Sequence, residues 1–192
     1  HSGKYHNVKH LPEPVMYTVD RKVFGKWQCE RLKGTSIEVR LNSKVTRVED
    51  KFVVINDEEE IAYDYLVGGD GPNSIVRRFL KLPLEKVLAT IQYIIPVKGQ
   101  TACMEIYLDA KYFHSWYAWS FPHHESIAIG VCADPRYVTG KQLKEKAHRW
   151  IEEKGFDLSN ARYESYPISY DYRGIEFGNI FLVGEAAGMA SG

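Results

Sequence analysis

One pattern occurs twice in the sequence: a short apolar strand that runs into glycine, an acidic residue and small residues. It is found in YDYLVGGDGPN (residues 63–73) and again in NIFLVGEAAG (residues 179–188). In open α/β sheets, ligands bind beyond the carboxyl ends of the strands. Glycine there permits positive φ and a close backbone approach, and a carboxylate accepts hydrogen bonds from sugar or ribityl hydroxyls. The pattern predicts a mixed α/β fold with a site suited to a dinucleotide.

Each junction taken alone has a second interpretation. Asp-Gly is a common turn sequence, so Asp70-Gly71 could simply close a turn. GDGPNS also imitates the GxGxxG phosphate fingerprint, but its last position is Ser74, Pro72 lies inside it, and no βαβ unit surrounds it. We therefore do not interpret this run as the phosphate-binding loop.

Hydrophobic periodicity predicts the other elements. A helix is expected to begin after Asp20, and an amphipathic helix is expected over 141–154, ending at Gly155. A third, short helix follows the first junction at 74–80. Strands are predicted at 37–41, 45–48, 52–55, 63–68, 87–97, 102–108, 115–121, 126–133 and 179–183. The strands between 87 and 133 form an antiparallel sheet in this prediction.

Composition and charge narrow the partners. The 25 basic and 25 acidic side chains cancel, which argues against nucleic acid and favours a small-molecule partner. No stretch reaches the roughly 18 to 20 apolar residues needed to cross a bilayer, so a cytoplasmic protein is expected, with peripheral membrane contact left open. The three cysteines are widely separated and outside any CxxC pattern, and the pair His123-His124 has no carboxylate or thiol at ligand spacing. Neither a disulfide framework nor a metal site is predicted.

Four motifs resemble those of one enzyme family. YDYLVGGDGPNSIVR resembles the mid-chain DG motif of FAD-dependent hydroxylases and their relatives, and NIFLVGEAAG resembles their later motif at the flavin ribityl chain. Between them, WYAWSFP resembles the YxWxFP motif of geranylgeranyl reductases. VDRKVFGKW, before the DG motif, resembles the family's Arg-x-x-Phe-Asp helix start. The chain thus resembles the geranylgeranyl-reductase branch of the aromatic-hydroxylase-like flavoproteins along almost its whole length.

The resemblance implies roles for individual residues. Asp70 and Gly71 would lie near the FAD pyrophosphate and a nicotinamide donor, and Arg21 would face the FAD phosphates or adenosine. The later motif would hold the ribityl chain through Gly184, Glu185, Ala186, Ala187 and Gly188. No catalytic side chain is implied, because the flavin carries the chemistry. Two positions depart from the family pattern: Glu185 stands where Asp is usual, and Gly25 stands where Asp is expected after Phe24.

An aromatic row is the candidate substrate surface. On a strand, Tyr117, Trp119 and Phe121 project from one face, and Pro122 follows them. The residues alone favour an ordinary half-buried sheet packed on the 141–154 helix, whereas the resemblance implies a wall that faces an apolar isoprenoid. The three rings have no His, Lys or carboxylate among them, which favours a reductase over a hydroxylase that must deprotonate a phenol.

These observations predict an FAD-binding layer at residues 1–80 and 175–192, with an antiparallel substrate domain inserted at 81–174. Family members begin with a GxGxxG-bearing βαβ unit of about 30 residues or more. The sequence lacks this unit, so we expect the chain alone to hold FAD weakly and to be inactive.

The leading function is reduction of C=C bonds of geranylgeranyl or other isoprenoid groups in lipid biosynthesis, with FAD as cofactor and NAD(P)H or another reductant as electron donor. The alternatives are an FAD-dependent monooxygenase (hydroxylase) or halogenase, and a non-catalytic lipid- or prenyl-binding module. The sequence does not predict an oligomeric state.

Overall fold

The computed structural model describes Glu13, residues 17–97 and residues 103–190. The helices are α1 (Arg21–Arg31), α2 (Ile75–Phe79), α3 (Ala110–Phe113) and α4 (Gly140–Glu153), and a 3₁₀ helix spans Gly184–Ala187. The strands are β1 (Val45–Val48), β2 (Phe52–Ile55), β3 (Glu59–Ala62), β4 (Leu66–Gly68), β5 (Val87–Pro96), β6 (Glu105–Leu108), β7 (Tyr117–Pro122), β8 (Ser126–Ala133), β9 (Arg162–Ser169), β10 (Glu176–Phe177) and β11 (Ile180–Leu182).

The chain forms two compact units. Unit 1 consists of the described residues of 1–35 and 89–166, and unit 2 of those of 36–88 and 167–192. Both units combine helices with sheets, and antiparallel pairing dominates. The predicted fold class is confirmed, while the predicted assignment of residues 1–80, 81–174 and 175–192 to cofactor and substrate binding stays a prediction.

Unit 1 is built on a five-stranded sheet in the order β6-β7-β8-β5-β9, in which β6, β7, β8 and β5 pair antiparallel. Helix α4 covers one face of this sheet, because its apolar stripe is buried against the strands. Thr139 caps α4 in a capping box with Gln142, and Gly155 ends it with φ +78°. The predicted helix over 141–154 is confirmed.

Helix α1 also belongs to unit 1. The Asp20 carboxylate accepts hydrogen bonds from the backbone N–H groups of Lys22 (2.8 Å) and Val23 (3.0 Å), as expected of an N-cap. The apolar side chains that predicted this helix, Val23, Phe24 and Trp27, are exposed in the described part of the chain.

Unit 2 contains the antiparallel meander β1-β2-β3. Asn56 and Asp57 have φ of +54° and +65°, which suits a tight hairpin turn between β2 and β3. The strand predicted at 37–41 is wrong: residues 37–40 have no regular structure and Leu41 lies in a turn. The alternating apolar residues of that segment are all exposed, so they bury no face that would hold a strand in place.

A second sheet of unit 2 has the order β10-β11-β4, with β11 antiparallel to β10 and parallel to β4. Helix α2 and the 3₁₀ helix share a core with these strands through Val76, Leu182, Ala186 and Ala187. The strands predicted at 63–68 and 179–183 therefore form, in shortened versions.

Some elements were not predicted. Strand β9 lies at the edge of the five-stranded sheet, beside β5, and contains Pro167, a residue that edge strands tolerate. The residues of β9 are exposed or half-buried except Ser169, and they do not alternate cleanly between buried and exposed positions, so no alternating apolar pattern marks this strand in the sequence. The predicted strand at 102–108 begins at Glu105, and residue 102 lies outside the described residues.

Candidate functional site

The two glycine–acid junctions meet at one edge of a sheet. Strands β4 and β11 are parallel neighbours, with Leu66 opposite Ile180 and Gly68 opposite Leu182. One residue further on, the Val183 N–H donates a hydrogen bond of 3.0 Å to the Gly68 carbonyl. The acidic residues that follow therefore leave the sheet side by side, at the carboxyl ends of two parallel strands.

Gly68 allows α2 to pack directly on the end of β4. A Cβ atom at this position would lie 2.7 Å from Cβ of Val76 and 2.9 Å from Cδ2 of Leu182. Only glycine leaves room for both neighbours. The close approach brings the first turn of α2 to the strand end from which Asp70 emerges.

Asp70 has a local structural contact. Its Oδ2 accepts a hydrogen bond of 2.7 Å from the N–H of Ile75, the first residue of α2. Gly71 has φ +78°, and its carbonyl accepts the Ser74 N–H at 3.1 Å, which closes the turn. Asp70 thus ties the turn to the helix, and a Cβ at Gly71 would meet nothing within 4 Å, so the turn surface is open.

The second junction divides into a buried and an open part. Ala186, Ala187 and Gly188 are buried in unit 2. Gly184, with φ +58°, has open space where a Cβ would stand, and Glu185 is half-buried. The Glu185 carboxylate makes no side-chain hydrogen bond to the described residues, so it remains free to accept hydrogen bonds from a ligand.

Arg77 lies on α2, just after the first junction, and its side chain is hydrogen bonded to the second junction. Its side chain is only 2% exposed and donates hydrogen bonds to the carbonyls of Ala186 (3.1 Å), Asp171 (2.8 Å) and Pro83 (2.6 and 3.2 Å). Burial lowers the pKa of this guanidinium, and the nearby Asp171 carboxylate, 3.8 Å away, opposes the shift. Sequence reasoning did not single out Arg77.

Asp171 is the buried anion of this network, with 1% of its surface exposed. Its Oδ2 accepts the Glu85 N–H at 2.7 Å, and its Oδ1 accepts Nε of Arg173 at 2.8 Å. Burial by itself raises the pKa of this carboxyl, but the hydrogen bonds from Glu85 and Arg173 and the charges of Arg173 and Arg77 outweigh it, so the pKa lies below its usual value. The network holds the backbone of residues 171–172, which packs against Gly188 of the second junction.

Arg21 lies outside this group. It is the first residue of α1, in unit 1, and its side chain is exposed. The other candidate cofactor residues, at 70–71 and 184–188, all lie in unit 2. The predicted contact of Arg21 with the FAD phosphates stays a prediction.

The aromatic row forms on β7 as the alternation predicted. The rings of Tyr117 and Trp119 lie 6.0 Å apart in an edge arrangement, and those of Trp119 and Phe121 lie 6.3 Å apart and stack. Ala118, between them, points into the core covered by α4. The ring face is therefore the sheet face opposite α4.

Gly130 on β8 makes room for the central ring of this row. It pairs with Trp119, and a Cβ there would lie 2.6 Å from Cε2 of the indole and 2.7 Å from the Ile91 carbonyl oxygen. The indole thus lies directly against the backbone of β8 at Gly130. Nearby on this strand, burial raises the pKa of the Cys132 thiol to about 11, so this cysteine is a neutral, unreactive thiol.

The ring face also carries polar groups that sequence reasoning missed. Gln92 on β5 pairs with Gly130, so its side chain lies on the face of Trp119. Its Nε2 donates a hydrogen bond of 2.6 Å to Oε2 of Glu164 on β9. No carboxylate lies among the three rings of β7, but the Glu164 carboxylate lies on the same face of the sheet.

Within residues 17–97 and 103–190, no group of three or more His, Cys, Asp or Glu side chains is arranged to hold a metal ion. In the same part of the chain, no helix combines the length and apolar character needed to cross a bilayer.

Comparison with known proteins yields relatives but no matching family model. The chain is 26% identical over 181 residues to a geranylgeranyl diphosphate reductase of Rhodobacter capsulatus, covering 89% of the chain and 45% of that protein. It is 23% identical over 195 residues to a digeranylgeranylglycerophospholipid reductase of Methanosarcina acetivorans, covering 90% and 47%. It is also 30% identical over 191 residues to protein CbrA of Escherichia coli, covering 90% and 51%. The chain spans about half the length of these curated relatives.

Solved structures share the fold. A geranylgeranyl bacteriochlorophyll reductase-like protein of Thermoplasma acidophilum matches 88% of the chain and 47% of its own length, with a TM-score of 0.72 and 19% identity. A flavin-dependent halogenase from Brevundimonas matches 95% of the chain and 41% of its own length, with a TM-score of 0.68 and 13% identity. These relatives and structures confirm the resemblance to the geranylgeranyl-reductase branch of the aromatic-hydroxylase-like flavoproteins.

Proposed function

We propose that the protein carrying this chain is an FAD-dependent oxidoreductase that reduces C=C bonds of a geranylgeranyl or other isoprenoid group. The proposal rests on two glycine–acid junctions at neighbouring parallel strand ends. The similarity to two proteins named as isoprenoid reductases supports the choice of substrate class.

The residues at the junctions fit a ribityl and phosphate-bearing cofactor. Open space at Gly71 and Gly184 allows a close backbone approach, and the free carboxylate of Glu185 is a suitable acceptor for ribityl hydroxyls. Asp70 has one oxygen engaged by the Ile75 N–H and a second available to a ligand. Bound FAD would supply hydride transfer, with NAD(P)H or another reductant as the proposed electron donor.

The protein's own contribution is to bind and orient an apolar substrate. The rings of Tyr117, Trp119 and Phe121, continued by Pro122, form a wall on the face of the unit 1 sheet opposite α4. Trp119 is 9% exposed, and the other three residues are half-buried. Burial of apolar surface stabilises a complex by roughly 25 cal/mol per Å², so a prenyl chain lying on this row would be bound by contact area alone.

Replacing Glu185 by alanine is expected to weaken FAD binding by about one to two decades. A lost charge-assisted hydrogen bond is worth roughly 1.5 to 3 kcal/mol. The measurement is a flavin titration of the full-length protein, with Glu176→Ala on β10 as the matched control that should leave the affinity unchanged. Equal affinities of the wild type and Glu185→Ala would show that this carboxylate does not touch the cofactor.

Replacing Trp119 by alanine is expected to raise the substrate Kd about two- to threefold, because only 9% of its surface is exposed. Covering the exposed part of the ring is worth about 0.6 kcal/mol. Reduction of the flavin by dithionite should be unchanged. The assay is anaerobic reoxidation of the reduced full-length enzyme by geranylgeranyl compounds, followed by product mass. Trp116→Ala, on a residue just before β7, is the control.

The product decides between the reductase and its rivals. A gain of two hydrogens without oxygen supports the proposal. A product that forms only in air and contains oxygen or halide would identify a hydroxylase or halogenase, an outcome that the Glu164 carboxylate on the ring face would help to explain. Substrate binding by a full-length protein with no flavin absorption would identify a lipid-binding module.

A further inference from the structure

The ring face of the unit 1 sheet has a polar end. Trp119 on β7, Gly130 on β8 and Gln92 on β5 are direct cross-strand partners, so they form one row across three strands. Gly130 has no side chain, and no other side chain stands between the indole and the Gln92 carboxamide in this row. Apolar and polar surfaces thus adjoin on one face.

The Gln92 carboxamide is held in one orientation. Its Nε2 donates to Oε2 of Glu164 at 2.6 Å, and because a carboxylate only accepts hydrogen bonds, the amide nitrogen has to face β9. The opposite oxygen of Glu164 accepts Nε of Arg162 at 3.0 Å, and Nη2 of Arg162 lies 2.8 Å from it. Glu164 therefore acts on the row through Gln92.

The charges of this pair are unequally shielded. The Glu164 side chain is 25% exposed, whereas the Arg162 side chain is 72% exposed. The carboxylate contacts Gln92 directly, whereas the guanidinium contacts only the opposite carboxylate oxygen. The field of the less exposed carboxylate is also less screened by water. An anionic group placed beside Gln92 would be repelled by the Glu164 carboxylate, whereas an uncharged group would not.

From this arrangement, and on the basis of the proposed function, we propose that Gln92 binds the polar end of the substrate and that Glu164 positions it. The ligand class is an amphiphile whose apolar chain lies on the aromatic row and whose uncharged group, an alcohol, ether or carbonyl, hydrogen bonds to Gln92. Glu164 disfavours a phosphate or diphosphate at the same place.

The test compares two probes with one prenyl chain, geranylgeraniol and geranylgeranyl diphosphate, bound to flavin-loaded full-length protein in the same detergent. Tryptophan fluorescence reports binding. The wild type is expected to bind the alcohol about tenfold more tightly than the diphosphate. Gln92→Leu should weaken alcohol binding about five- to tenfold, the effect of one lost hydrogen bond. Glu164→Gln should abolish most of the discrimination against the diphosphate.

The controls separate specificity from folding. The ratio of the two dissociation constants is measured within each variant, so a partly unfolded population does not change it. Glu125→Gln removes a carboxylate from the turn between β7 and β8 and should leave the ratio at the wild-type value. If Glu164→Gln and Gln92→Leu also keep the wild-type ratio, the polar-end proposal is overturned although prenyl binding stands. If the wild type binds neither probe, the proposed substrate class itself fails.

Discussion

Arg77→Met is expected to destabilise the chain by about 3 kcal/mol or more, because it deprives several buried acceptors of their donor. The guanidinium donates to three backbone carbonyls, of Pro83, Asp171 and Ala186. Methionine fills a similar volume but supplies no N–H group. The carbonyls would stay buried without compensation, and Asp171 would lose one of its two neighbouring cations.

The control for this variant is Arg78→Met, on the next residue of the same helix. The Arg78 side chain is exposed, and its hydrogen bond to the Asn73 carbonyl (2.7 Å) is open to solvent. Surface substitutions of this kind change stability by about 0.5 kcal/mol or less. Urea unfolding of the two variants measures the difference. Equal losses would show that the buried hydrogen bonds of Arg77 add no more stability than a solvated one.

The two arginines also show where sequence reasoning ends. Arg77 and Arg78 are adjacent in SIVRRFL, and nothing in this segment indicates which of the two is buried. The structure buries one and exposes the other because the acceptors of Arg77 come from Asp171 and Ala186, about a hundred residues away along the chain. No local signal distinguishes them.

Features that depend on neighbouring residues were predictable. Local sequence spacing predicts three such features: the Asp20 cap, the Asn56-Asp57 turn and the buried stripe of α4. The prediction of a strand at 37–41 was wrong because alternation predicts a strand only where another layer covers the apolar face. The two glycine–acid junctions meet because β4 and β11 are parallel neighbours, so their carboxyl ends lie at the same edge of the sheet.

The substrate face was predicted only along one strand. The alternation of Tyr117, Trp119 and Phe121 is a property of β7, so the sequence shows it directly. Glu164 joins the same face through Gln92, from a strand that the sequence did not predict. Because a carboxylate lies on the same sheet face, the aromatic wall does not by itself distinguish a reductase from a hydroxylase. The choice between reductase and hydroxylase depends on the similarity to isoprenoid reductases and on the anaerobic assay.

Gly188→Ala is expected to cost about 2 to 5 kcal/mol of stability and to weaken flavin binding with it. Gly188 has φ +71°, where an L-residue is strained by about 1 to 2 kcal/mol. A Cβ there would also lie 2.7 Å from the backbone nitrogen of Tyr172, and overpacking adds roughly 1 to 3 kcal/mol. That backbone cannot move away cheaply, since the adjacent Asp171 is buried and bound to Arg77 and Arg173.

Gly178→Ala separates strain from collision. Gly178 lies between β10 and β11 with φ +67°, but a Cβ there would meet nothing within 4 Å, so only the strain of about 1 to 2 kcal/mol is expected. Because the Gly188 N–H donates to the Glu185 carbonyl at 3.0 Å, a displaced Gly188 also shifts Glu185, whereas Gly178 has no such link in the described chain. Urea unfolding and flavin titration of both variants test this: equal losses in both measurements would mean that the close approach of Gly188 to residues 171–172 does not shape the candidate flavin site.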